Sequence, residues 1–267
     1  MMELREFLFE PLKDKRYTFV IRAREKGILS GTAKLQELAA GLEIEVISAA
    51  REGSILMPGS VVLTAKGSAE MVARAEELLM GAIGKPSGVA TAASEIVQKA
   101  HPVRVVCGAW KKVSQAVKGE LRQAVMASGA GLRMSEHPFV YLDKNYIRMF
   151  GGVADAVARA KQYDESCLVV AQLRGELGDI RAEARSAVEA GAGILMVDTG
   201  QLKDLRAVLA AAETEGWRHQ VQVAFAGGVT PEELGRVISI KPDIVDVGRA
   251  ILDAPLLDFS LDVVDEA

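Results

Sequence analysis

A chain of 267 residues exceeds an ordinary single domain of about 100–150 residues and suits an α/β barrel joined to a small partner domain. With 49% hydrophobic and 25% charged residues it is not a disordered chain, and its net charge of -4 excludes the broad basic field of a nucleic-acid binder, so an anionic ligand has to be gripped by local groups. Cys107 and Cys167 sit in apolar runs without a CxxC pair, which argues against a disulfide framework or a zinc site. The first fourteen residues lack an apolar h-region, and no stretch reaches the ~18 apolar residues that span a bilayer, so a cytoplasmic protein with no membrane partner is expected.

Along residues 1–100, the β-branched runs Tyr17 to Arg24, Leu42 to Ala49 and Ser60 to Lys66 alternate with helical stretches, which reads as a small α+β, sandwich-like domain. A helix from about Ala69 to Ile83 places Val72, Ala75, Leu79 and Ala82 on one face, the pattern of an ordinary packing helix. From Val103 the rhythm changes. Strand-like runs at Val103 to Ala109, Phe139 to Asp143, Leu168 to Leu173, Gly193 to Asp198, Val221 to Ala226 and Ile244 to Val247 alternate with helical patterns. Those lie near Val113 to Ala127, Val153 to Gln162, Asp179 to Ala190, Leu202 to Thr214 and Pro231 to Ile240. Repeated βα units predict parallel strands covered by helices. A parallel α/β barrel over residues 101–254 is favoured over an open doubly wound sheet, because no GxGxxG turn opens a first βα unit. Residues 255–267 are assigned to a tail packing back on the N-terminal domain.

In parallel barrels the working residues stand at the C-terminal strand ends. That rule selects Lys111 and Lys112 after the first strand, Asp143 and Lys144 after the second, Asp198 after the fourth, Gly227 and Gly228 after the fifth, and Gly248 and Arg249 after the sixth. Ala226-Gly227-Gly228-Val229-Thr230-Pro231 combines a strand end, a glycine pair and a predicted helix start, where bare N–H groups can approach an anion; Gly248 and Arg249 would complete the cradle. The same glycines also suit tight βα turns. Asp198 ends an apolar strand, where a carboxylate would hold magnesium or sugar hydroxyls, or cap the helix beginning near Leu202. Lys111 and Lys112 fit either a pyrophosphate or carboxylate grip or two solvated lysines. His101, His137 and His219 share no spacing that suggests a relay or metal.

Several stretches, in order, resemble signatures of the quinolinate phosphoribosyltransferase family, also called nicotinate-nucleotide pyrophosphorylases. They are Arg24-Glu25-Lys26-Gly27-Ile28-Leu29-Ser30-Gly31, Arg51-Glu52-Gly53 with Pro58-Gly59, Ser87-Gly88-Val89-Ala90-Thr91, Glu189-Ala190-Gly191-Ala192-Gly193 leading to Met196-Val197-Asp198, and finally AGGVT and DIVDVG. The resemblance runs from about residue 17 to 252. It implies a glycosyltransferase that joins a pyridine nitrogen to phosphoribosyl pyrophosphate, expels magnesium pyrophosphate and then releases carbon dioxide, with Mg2+ as cofactor and a homodimer as the working form. It also implies that the family's Thr-Arg-Lys stretch falls on Ala109-Trp110-Lys111, its His-Arg pair on Leu132-Arg133, its Lys-Asp-Asn-His strand end on Asp143-Lys144-Asn145-Tyr146, and its mid-barrel glutamate on Gln172. The arginine that reaches a partner's site corresponds to Lys85.

On that basis Lys111, Arg133, Lys144 and Asp198 are the expected catalytic residues, with Asp198 also on the metal. Lys85, Trp110, Lys112, Gln172, Gly227, Gly228, Gly248 and Arg249 are expected to bind substrate. Trp110 in place of an arginine removes a bidentate carboxylate clamp and supplies a flat apolar face, and Lys85 gives a point charge where a fork was used. The acceptor is therefore expected to be a planar nitrogen compound other than quinolinate. A non-catalytic or regulatory protein that keeps the phosphate cradle is the alternative.

Overall fold

The computed structural model describes residues 4–176 and 178–266. Its elements run α1 (Leu4–Phe9), β1 (Arg16–Ala23), β2 (Gly27–Ile28), α2 (Thr32–Gly41), β3 (Glu45–Ala49), β4 (Ile55–Leu56), β5 (Val61–Ser68), α3 (Ala69–Ala100), β6 (Arg104–Val106), α4 (Gln115–Ala127) and β7 (Phe139–Leu142). They continue with α5 (Lys144–Phe150), α6 (Val153–Tyr163), β8 (Leu168–Leu173), α7 (Ile180–Glu189), β9 (Ile194–Asp198), α8 (Leu202–Thr214), β10 (Gln222–Ala226), α9 (Leu234–Ile238), β11 (Ile244–Asp246), α10 (Arg249–Leu252) and β12 (Phe259–Glu266). Two units result. One comprises residues 4–95, 112–129 and 251–266, and the other residues 96–111 and 130–250. The division is not a pair of contiguous blocks, because the segment carrying α4 clusters with the first unit.

The first unit is an antiparallel four-stranded sheet in the order β12-β1-β5-β3, beside the short β2-β4 pair. Alternation in β1 turns Phe19, Ile21 and Ala23 into a core shared with Leu35 of α2, Leu79 and Ile83 of α3, and Leu257 and Phe259 near the C-terminus. Each large apolar side chain so buried contributes roughly 1.5–3 kcal/mol. The C-terminal strand is thus part of this sheet: Ile21 pairs with Leu261 and Ala23 with Phe259.

The expected end of α3 near Ile83 is wrong; the helix is 32 residues long and runs through Pro86 to Ala100. Proline cannot donate to the carbonyl four residues earlier, here Ala82. Gly31, at φ +94°, passes so close to that carbonyl that a Cβ there would lie 2.3 Å from Ala82 O. Beyond the proline, the Ser87 hydroxyl accepts from the Ser30 N–H (2.9 Å) and donates to the Ser30 carbonyl (3.2 Å), while Thr91 Oγ1 accepts from the Ile28 N–H (2.9 Å). A Cβ on Gly88 would strike Pro255 O at 1.9 Å. Two of the most recognisable stretches of the sequence, residues 24–31 and 87–91, are therefore one packing joint, and tertiary contacts carry the helix past a residue that ordinarily ends it.

The second unit is a six-stranded parallel sheet in the order β6-β11-β10-β9-β8-β7. Gly131 adds one parallel bridge to Val106 at the β6 edge. One face of every strand enters a common interior: Val106, Phe139, Tyr141, Leu168, Val170, Ile194, Met196, Ala224, Ala226 and Ile244, joined by Met134. Only a sheet curled on itself brings the same face of its first and last strands into one cluster, so the strands form the wall of the expected barrel. Period-two alternation then fixes which residues continue that inner face at the C-terminal ends. These are Asp143, Gln172, Asp198 and Asp246.

Helix boundaries in this unit agree with the sequence pattern for α6, α7 and α8, and an additional helix, α5, begins at Lys144. The helix expected over Pro231 to Ile240 is a turn followed by the five-residue α9. Thr230 begins that turn, accepting the Glu233 N–H at its hydroxyl (3.3 Å) and the Leu234 N–H at its carbonyl (3.0 Å).

Candidate active site

The mouth of the barrel is built from those inner strand ends and the loops beyond them. Asp143 follows β7 and caps α5, its Oδ1 accepting the Asn145 N–H at 2.9 Å. Its Oδ2 accepts from Lys111 Nζ at 2.7 Å, and this bond holds the carboxyl below the usual aspartate range. Lys111 itself is 84% exposed, a cation projected from the β6 loop across to β7. Gln172, nearly buried on β8, accepts the Lys144 N–H at Oε1 (2.6 Å) and donates through its amide to Asp198 Oδ2.

Asp198 does not cap α8, whose N-terminus is Gln201 without a side-chain cap bond. It faces a cation instead. Arg174 Nη1 donates to the Asp198 carbonyl at 3.0 Å and lies 3.5 Å from its Oδ2, while Arg174 Nε donates to Glu176 at 2.9 Å. Arg174 immediately follows β8 and was missed by the sequence reading, although the strand-end rule that selected Asp198 points to it equally.

The second missed residue is Asp246. The alternation Ile244, Asp246 carries it inward at the end of β11, where Oδ1 accepts the Gly108 N–H at 2.7 Å. Burial pushes its carboxyl up to about 6, the charge on Asp198 adds to the rise, and the Gly108 bond opposes it. Tyr141 marks the convergence. Its phenol is pushed above its ordinary value by burial and by the charges of Asp198, Asp246 and Asp143. Cys107, buried and free, is likewise pushed up to about 12 by burial and by Asp246.

The glycine loops stand beside these carboxylates. Gly227 (φ +111°) and Gly200 (φ +68°) pack backbone to backbone, such that a Cβ on Gly227 would lie 2.2 Å from Gly200 N. Gly228 (φ +88°) has open space where its side chain would be, and the loop exposes both Gly227 and Gly228. A Cβ on Gly248 would meet Ala109 Cβ at 2.8 Å, and Ala109 itself adopts φ +65°, a left-handed conformation that costs a non-glycine residue about 1–2 kcal/mol. The strained residue opens directly onto Trp110 and Lys111. Because α9 starts seven residues after Gly227 and is short, Gly227 and Gly228 lie in a loop and not at a helix terminus, which corrects the expected helix-start geometry.

Of the remaining expected residues, Lys144 is exposed at the first position of α5, Trp110 is half-buried at the start of a 3-10 turn, and Arg249 is exposed at the start of α10. The guanidinium carbon of Arg133 stands 5.1 Å from the centroid of the Phe139 ring, a residue that opens β7. Lys112 and Lys85 belong to the first unit; Lys85 Nζ donates to the Ala254 carbonyl at 2.6 Å. Among the described residues there is no cluster of three or more His, Cys, Asp or Glu suited to hold a metal, and no helix long and apolar enough to cross a membrane.

A parallel barrel with glycine loops and carboxylates at its mouth defines an α/β barrel protein whose ligand site belongs at the C-terminal strand ends. Two family models divide the chain between them: "quinolinate phosphoribosyl transferase, N-terminal domain" matches residues 7–87 and "quinolinate phosphoribosyl transferase, C-terminal domain" residues 89–262. The chain belongs to the quinolinate phosphoribosyltransferase family. It is 27% identical over 248 residues to a probable nicotinate-nucleotide pyrophosphorylase (carboxylating) of Archaeoglobus fulgidus, covering 92% of this chain and 93% of that one. It is 26% identical over 242 residues to the human nicotinate-nucleotide pyrophosphorylase (carboxylating), covering 90% and 80%. Among solved structures, the nicotinate-nucleotide pyrophosphorylase of Pyrococcus furiosus shares the fold with a TM-score of 0.85 at 23% identity, covering 98% of this chain and 72% of that one. The Francisella tularensis protein of the same name gives 0.82 at 21%, covering 97% and 90%.

Proposed function

We propose that this chain transfers phosphoribose from phosphoribosyl pyrophosphate to a planar nitrogen acceptor other than quinolinate. The observation that carries the acceptor half of this reading is the charge state of the mouth: Lys111 and Arg174 are spent on Asp143 and Asp198, and Trp110 stands where the family resemblance places an arginine. A dicarboxylate would meet three carboxylates with few uncommitted partners. A planar ring with one carboxylate or none would meet an aromatic face and hydrogen-bond acceptors.

The donor half rests on the relatives' printed names and on the glycine loops. Backbone N–H groups of Gly227, Gly228 and Gly248 would hold the phosphates, with Arg249 beside them, and Lys111 would swing from Asp143 to the pyrophosphate. Asp198, oriented by Arg174 and Gln172, would take the ribose hydroxyls or a magnesium ion. Magnesium is commonly held by one or two carboxylates plus substrate phosphates, which fits a mouth without an all-protein cage. When bound it neutralises charge on the pyrophosphate. The departing group leaves an oxocarbenium-like ribose, so the protein acts by positioning and by stabilising the leaving group. We infer a cytoplasmic homodimer in which Lys85 serves the partner's site.

A second reading, a non-catalytic binder that keeps the cradle, is favoured by the same internal ion pairs. Isothermal titration with magnesium phosphoribosyl pyrophosphate, followed by pyrophosphate release with quinolinate and nicotinate, tests both. Micromolar donor binding with a silent quinolinate assay supports the transferase with another acceptor. Donor binding without release for any planar nitrogen compound selects the binder, and absence of donor binding removes the transferase reading and leaves the barrel as a scaffold put to another use.

A further inference from the structure

We propose that Asp246 recognises the acceptor and takes a proton from it, so that the acceptor is an N–H heterocycle of the azole type and not a pyridine. The inference rests on the donor reading above and deepens it.

Three carboxylates converge on the mouth, but they are not equivalent. Asp143 has Lys111 at 2.7 Å and Asp198 has Arg174 at 3.5 Å, whereas among the described residues no cation pairs with Asp246. Its one partner is the Gly108 N–H, which fixes Oδ1. Oδ2 is left without a bond, and any side chain at Gly108 would place its Cβ 2.3 Å from that atom, so a residue larger than glycine would displace the carboxylate. The groups that face Asp246 are Gly108 and Cys107 of the neighbouring β6 segment, Asp198 across the interior, and Tyr141. None is a cation. Asp246 is half-buried, and its second oxygen has no protein partner among the described residues, so it stands open to water or to a ligand that donates a hydrogen bond.

The chemistry selects the ligand. A pyridine nitrogen attacks C1′ with its lone pair and has no proton to lose, so Asp246 would contribute nothing to it and would repel its carboxylates. In an azole, the lone-pair nitrogen forms the new bond to C1′ while the C1′–O bond to pyrophosphate breaks, its electron pair leaving on the pyrophosphate oxygen. The proton carried by the ring's second nitrogen passes to Asp246 Oδ2. Burial and the nearby charge of Asp198 keep this carboxyl near 6, so at neutral pH it is ionised yet holds a proton better than an exposed aspartate does.

The test uses the full chain with magnesium phosphoribosyl pyrophosphate and two acceptor sets, imidazole and benzimidazole against quinolinate and nicotinate, with pyrophosphate release as the readout. The azoles are expected to be turned over by the wild type, with activity falling on the acid side of about pH 6. Asp246→Asn should lower azole turnover by about 10²–10⁴-fold and remove that acid limb, while calorimetric donor affinity stays within about twofold. Asp246→Glu should recover part of the rate. Circular-dichroism melting and the donor titration together show whether the variants are folded. Azole turnover and pH profile unchanged in Asp246→Asn, or turnover of the pyridine carboxylates alone, overturns the role of Asp246 and leaves the donor site standing. Failure of the wild type to bind donor overturns both.

Discussion

The two sides of the barrel mouth differ in how they treat charge. Over β7, β8 and β9, Asp143, Gln172 and Asp198 are locked into a network with Lys111, the Lys144 N–H and Arg174. Over β10, β11 and β6 the strand ends are mostly glycine, with Gly227, Gly228, Gly248, the strained Ala109 and Asp246 held by a single N–H, and Trp110 and Arg249 follow in the loops. The first side is satisfied without a ligand. Among the described residues the second offers glycine loops and a carboxylate oxygen without a protein partner, open to water or a ligand, beside the strained Ala109. On the function proposed above, the networked side would orient the sugar and the bare side would take the phosphates and the attacking ring, with Lys111 crossing from Asp143 to the pyrophosphate.

Breaking the networked side should impair donor binding as well as turnover. Asp198→Ala removes the charge facing Arg174 and the acceptor for Gln172, and is expected to reduce turnover by about 10²–10³-fold, with donor affinity in calorimetry falling as well. If donor binding is untouched, Asp198 is only the anchor of an internal network and the division of labour is mistaken.

Substitutions on the bare side separate packing from binding. Gly227→Ala has to place a methyl group 2.2 Å from Gly200 N at φ +111°, and should lower stability in denaturant unfolding by about 2–4 kcal/mol. Gly228→Ala points into open space, so its cost should stay near 1–2 kcal/mol, yet its methyl group would stand where the phosphate is expected. Weakened donor binding in Gly228→Ala, compared at equal folded fraction, identifies the cradle; equal binding assigns the glycine to the turn alone.

Asp246→Asn should make the protein more stable at neutral pH, by about 1–3 kcal/mol, as expected of a residue kept for function. The sign follows from the raised carboxyl. Between the ordinary aspartate range and about 6 the folded state binds the proton more tightly than the unfolded state, so wild-type stability declines as pH rises through that window. The gain in the asparagine variant should therefore fade on acidification below about pH 4. Chemical denaturation at a series of pH values measures this, and a variant less stable than wild type at pH 7 contradicts it.

Lys111→Ala should do least to the fold. A lysine that exposed contributes at most about 1 kcal/mol through its ion pair. Asp143 is held down, so the stability it contributes is present above the ordinary aspartate range and is lost as pH falls through its lowered value; removing Lys111 should move that loss to higher pH. A much larger effect on pyrophosphate release than on melting would mark Lys111 as a ligand of the donor.

Much of this architecture was legible in the chain. Asp198 stood out because a carboxylate at the end of Gly193-Ile194-Leu195-Met196-Val197 has few bland explanations, and the alternation that exposes it applies also to Asp246 and places Arg174 one residue beyond its strand. Both were passed over in favour of the glycines, whose local signal is louder. The extension of α3 through Pro86 was not legible, because proline normally marks a helix end and only the close passage of Gly31 and the bonds of Ser87 and Thr91 show why the helix continues.

By itself the sequence determined the strands, their parallel arrangement, the glycine loops and the family, since these follow from short-range periodicity and from ordered motifs. Tertiary structure decided which charges were already spent and which were not. Lys111 and Asp143 are 32 positions apart, Gln172 and Asp198 are 26, and Gly108 and Asp246 are 138. Electrostatic pairing depends on distance through space: parallel pairing of neighbouring strands sets the second and third of those distances, and only the curling of the sheet brings the β6 and β7 ends together for the first.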